Sequence, residues 1–89
     1  MIACVGLHPA RPLPRADRLV WYVLDEPDPC RVHAATCWRC LEMSYELVSF
    51  GGAYAIRRSG RRGQLDETPR VRRRLADEWW AAVLTGRAV

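Results

Sequence analysis

Residues 41–58, LEMSYELVSFGGAYAIRR, constrain the fold of this chain more than any other stretch. Leu41, Met43, Tyr45 and Leu47 alternate with Glu42, Ser44 and Glu46, the period of two that marks a half-buried strand. Gly51-Gly52 follows, a two-residue loop able to take the positive φ angles of type I′ or II′ hairpin turns. Folding the chain back across that loop predicts Leu47 opposite Ile56 and Glu46 opposite Arg57. One register thus yields an apolar pair and an opposite-charge pair, each contributing about 0.2–1 kcal/mol.

Two further elements flank this hairpin. Leu19 to Leu24 is an unbroken apolar run rich in Val, Trp and Tyr, the composition of a strand covered on both faces or central in a sheet. Asp25, Glu26, Pro27, Asp28 and Pro29 end it in a turn. Near the C-terminus, Thr68-Pro69 has the form of an N-cap and first helical residue. Val71, Leu75, Trp79 and Val83 then recur on one face, with Ala76 and Trp80 beside it, and Gly86 stands ready as the residue after the cap. The spacing predicts a helix over about 69–85. Trp21 and Trp79 fit apolar patterns, whereas Trp38 and Trp80 are less constrained to point inward.

Between the first strand and the hairpin lies CRVHAATCWRC. Cys30, His33, Cys37 and Cys40 are spaced i, i+3, i+7, i+10. On a helix they would form one stripe, but Cys30 and Cys40 would then be about 15 Å apart along the axis. A zinc ion needs its ligands within about 2.0–2.3 Å, so one helix cannot offer all four. The strand beginning after Cys40 and the paired two-residue spacings favour a looped Cys3His site holding structural Zn2+. Four protein ligands would leave no open position for zinc chemistry. A core helix stripe, or redox use of Cys37-Trp-Arg-Cys40, is the competing reading. Cys4 reads as a buried thiol.

Eighty-nine residues form a small core, and domains of this size often add a disulfide or metal staple. The N-terminal apolar run is too short for a signal peptide, and nothing approaches the roughly 18 apolar residues of a membrane span. A cytoplasmic setting without membrane contact follows as the expectation, and there clustered cysteines hold metal more often than disulfides.

All 14 basic residues are arginine, as codon bias in a GC-rich bacterial genome produces. Their placement is uneven. Arg57, Arg58, Arg61, Arg62, Arg70, Arg72, Arg73 and Arg74 stand against Asp66 and Glu67 alone, a local +6 in a chain of net +4. Such a segment points to nucleic acid or an acidic protein surface. Arginines in the first helical turn are unfavourable for the helix itself, by about 0.3–1 kcal/mol each, unless a phosphate docks there. The opposing view is that these side chains are solvated and paired, with Arg73–Asp77 and Arg74–Glu78 at i,i+4.

His8, among prolines, has no nucleophile or carboxylate placed near it, and no phosphate-cradling loop or hydrolase motif occurs. No enzyme is indicated. The architecture expected is a small α+β domain over residues 18–89, after an irregular Pro/Arg-rich lead-in over 1–17. It comprises an antiparallel sheet of about three strands with a C-terminal helix on one face, stapled by zinc. The functions expected are nucleic-acid binding or transcription-associated accessory work. The alternatives are a protein-interaction adaptor using the Trp-bearing helix or a sheet edge, docking on a larger partner, and a thiol redox protein.

Overall fold

The hairpin forms in the register that its side chains predict. In the computed structural model, which describes residues 6–37 and 42–89, β3 (Met43–Phe50) and β4 (Ala53–Gly60) pair antiparallel. Leu47 lies opposite Ile56 and Glu46 opposite Arg57. Of the two loop glycines, only Gly51 has positive φ, at 79°, the II′ pattern.

Around this hairpin the chain builds an α+β domain with five antiparallel strands instead of three, in the order β1-β5-β4-β3-β2. β1 is Tyr22–Val23, β2 is Arg31–Ala35 and β5 is Leu65–Glu67. The run Leu19–Leu24 is therefore neither central nor covered on both faces. It supplies an edge strand, with Tyr22 58% and Val23 79% exposed. The stretch SGRRGQLDE, residues 59–67, has two glycines and no apolar periodicity, yet it contains β5. Residues 30–37 hold an extended strand, so the helical stripe is ruled out for the described part of the Cys/His cluster.

The helix α1 spans Arg73–Leu84, beginning four residues after the predicted start at 69. Thr68 does not cap it. Its Oγ1 accepts the buried Ile56 N–H at 3.0 Å and donates to Pro69 O. Val71 then exchanges two backbone hydrogen bonds with Tyr54, both 2.7 Å, so residues 65–71 run beside β4 before any helix starts. At the other end Thr85 is the C-cap and Gly86, φ 76°, follows it as expected. A Cβ there would also fall 2.5 Å from Arg11 O, because the lead-in packs on this end. Ala10 and Leu13 donate to Leu84 O and Gly86 O at 2.8 Å.

Leu47 and Ile56 face the helix and form the core with Ala76 and Trp80, while Trp21, Tyr45, Tyr54 and Trp79 pack around them. Trp80, not Trp79, is the more deeply buried of the helical pair; Trp38 lies outside the described residues. The other face carries Val48, Ala55 and Arg57, all buried. That face is crossed by residues 24–30, because β1 and β2 are at opposite edges of the sheet. Four strand spacings amount to roughly 19 Å, and eight links of chain reach about 28 Å at most. The strap is therefore extended, as Pro27 and Pro29 favour.

Replacing Thr68 by Val keeps its shape and removes the acceptor for Ile56 N–H. Urea unfolding should show a loss of about 1–3 kcal/mol with an unchanged m-value. A loss below about 0.5 kcal/mol, the level of a surface change, would contradict the role assigned to Thr68.

Candidate functional site

Arg57 organises the face beneath the strap. Its Nη2 donates to Glu67 Oε2 at 3.1 Å and to Asp28 O at 3.4 Å, and its Nη1 to Cys30 Sγ at 3.3 Å. Only 9% of its side chain is exposed. Arg70 closes the same network, donating to Asp28 at 2.6 Å and Glu67 at 3.2 Å. These bonds, that to Asp28 foremost, raise the Arg70 pKa above its ordinary value. The guanidinium of Arg70 also sits 3.6 Å over the Phe50 ring. Arg58 pairs with Asp66 at 2.7 Å and stacks 4.2 Å over Trp21.

The predicted arginine footprint is thus divided. Arg57, Arg58 and Arg70 hold the sheet and strap together. Arg73 forms an exposed i,i+4 pair with Asp77 at 3.6 Å, which contributes little in water. Arg61 and Arg62 lie in the turn after Gly60, at one end of β4. Arg72 and Arg74 follow Val71, which bridges Tyr54 near the other end. Eight residues of strand put these two groups roughly 25 Å apart. The structure does not gather them into one patch.

Of the predicted zinc ligands, Cys30 and Cys37 lie beyond opposite ends of β2. Cys30, half-buried, precedes β2 and lies against Arg57. His33 occupies a register shift between Val32 and Ala34, a β-bulge that lets its Nε2 approach Ser49 Oγ at 2.8 Å. Cys30 and His33 line one open hollow with Asp28, Ser49, Tyr54 and Arg70. Cys37 is buried past the far end of β2, where its N–H donates to Leu7 O at 2.7 Å. Five residues of strand between Cys30 and Cys37 span about 16 Å, too far for a shared ion. Cys40, like Cys4, lies outside the described residues. Among the described residues no three His, Cys, Asp or Glu side chains are grouped to hold a metal.

The outer edge of β1 is the feature the sequence concealed. Val20, Tyr22 and Val23 are 58%, 58% and 79% exposed. Leu24 N–H bonds to Leu65 O at 2.9 Å and Tyr22 lies opposite Glu67. Antiparallel alternation then turns the N–H and C=O of Trp21 and Val23 away from the sheet. The opposite edge differs: β2 carries the His33 bulge and exposed Arg31, devices that discourage strand addition. The signal for this was present in RLVWYVLDEP, but burial could not be distinguished from a sticky edge by composition.

Compared with family models, curated proteins and solved structures, the chain matches none. Among the described residues no helix is long and apolar enough to cross a membrane.

A four-ligand zinc site would require Cys30 to leave Arg57 and β2 to separate from β3. Protein purified without added metal should therefore carry no stoichiometric zinc by elemental analysis. One equivalent per chain, lost on Cys30→Ser, would overturn the placement of Cys30.

Proposed function

We propose that this chain is a protein-interaction module that accepts a partner strand along the outer edge of β1. The supporting observation is the exposed, β-branched and aromatic edge at Val20, Tyr22 and Val23, with outward backbone groups at Trp21 and Val23. Strand addition takes its affinity from such main-chain groups and its specificity from alternate side chains. The edge is held firmly: the strap fixes one end, and Leu19 N–H to Val89 O, 2.8 Å, fixes the other. A rigid edge loses little conformational freedom on binding.

Nucleic-acid binding is the second reading, favoured by one observation. The helix N-terminus has no side-chain cap and no acidic residue in its first turn, while Arg72 and Arg74 are exposed there. A phosphate would suit those free N–H groups.

The two readings respond to different substitutions. Val23→Pro removes an N–H that faces away from β5 and leaves the inner ladder intact. Val23→Pro should abolish co-purification of a native-host partner, whereas Arg72→Glu with Arg74→Glu should leave it unchanged. The reverse pattern, with duplex or single-stranded nucleic acid bound more weakly as salt rises, would replace the first reading by the second.

A further inference from the structure

We propose that the strand added to β1 is β1 of a second copy of this chain, paired antiparallel about a two-fold axis through Tyr22. This rests on β1 being an interaction edge and names its occupant. In a symmetric antiparallel pair the axis must pass between two identical residues, because adjacent pairs alternate between bonded and non-bonded types. Three centres lie near the strand, Trp21, Tyr22 and Val23. A Val23 centre would set Trp21 against Asp25, where the chain has already turned into the strap, which leaves Trp21 and Tyr22.

The backbone chooses between them. Trp21 and Val23 point outward, so they must supply the new hydrogen bonds. With Tyr22 at the axis, Trp21 of each copy faces Val23 of the other, giving two bonded pairs around a non-bonded Tyr22–Tyr22 pair. With Trp21 at the axis, Val23 would face Leu19, whose N–H is already bound to Val89 O.

The side chains agree with the Tyr22 centre. Val20 falls opposite Leu24 and Trp21 opposite Val23. Apolar positions meet apolar ones, twice over by symmetry. Trp21 packs against Tyr45, with ring centroids 6.2 Å apart, and Val23 of the second copy would extend that cover. Among the described residues Val23 is the most exposed large apolar one, at 79%, and gains most from it. A two-fold contact of this kind is closed. The remaining free edges are the β2 strands, which the bulge guards against further growth.

Sedimentation analysis of the full chain over a concentration series, with disulfide trapping, tests the proposal. The wild type should form a dimer. Val23→Pro, which removes an N–H of the new ladder, should abolish it. Tyr22→Cys should yield a covalent dimer whose linked peptides join the two introduced cysteines, since non-bonded partners have Cα atoms about 4.5 Å apart, within disulfide reach. Val20→Cys is the control. Its two copies would be separated by four residues of strand, about 13 Å, and should not join. A dimer that is indifferent to Val23→Pro, or trapping at Val20 in preference to Tyr22, overturns the proposal. A monomer at every concentration overturns it too. If that monomer still loses its native-host partner on Val23→Pro, self-pairing fails and the interaction edge stands; if the partner is retained, both fail.

Discussion

A single buried guanidinium sets the layout of this domain. Arg57 lies on the face of β4 opposite Ile56, where a strap only seven residues long must cross the sheet. Its two terminal nitrogens bind Glu67 on the neighbouring strand and Asp28 and Cys30 in the strap. Phe50 lies 5.7 Å from it and 3.6 Å from Arg70, so the network has an aromatic floor. A buried ion pair is a weak source of net stability, since desolvation offsets much of the attraction. Its use here is directional. Apolar packing could cover this face, but hydrogen bonds fix which strap residue meets which strand. The cost is visible at Arg57 Nε, which is buried with no hydrogen-bond partner.

The inward use of charge changes what the outside can do. A segment of local charge +6 resembles a polyanion footprint in sequence, yet its most central arginines face carboxylates within the fold. The strap they hold also anchors the end of β1, while residues 17–19 bond to the C-terminal tail. The edge strand is thereby presented rigidly with its apolar side chains uncovered. One constraint thus links the arginine-rich composition to the surface offered to a partner.

Local order was legible in the sequence and long-range pairing was not. The β3–β4 register follows from alternation and two glycines, both read within a few residues. The helix exists where its periodicity predicts, but its start was misplaced for a physical reason. Thr68 is a good cap residue because its hydroxyl accepts an N–H, and here the N–H comes from Ile56 across the sheet. β2 was hidden because it is only five residues long and mostly exposed, leaving the heptad-like Cys/His spacing as the more visible pattern. Asp28 and Arg70 are 42 residues apart, so no local rule could reveal that the basic segment is answered by the strap. The apolar run at residues 19–24 identified a strand, while its position at an edge depended on the partners of every other strand.

The central claim is that Arg57 and Glu67 act as one buried unit, and a double-mutant cycle by chemical denaturation tests it most directly. Glu67→Leu should cost about 3–5 kcal/mol, because it leaves buried Arg57 without its carboxylate, and Arg57→Met should cost less, because Arg70 still binds Glu67. The double variant should cost well below their sum, with a coupling energy of at least about 1 kcal/mol. Single costs under about 0.5 kcal/mol, or effects that simply add within that margin, would show that the arginine does not hold the sheet and strap together.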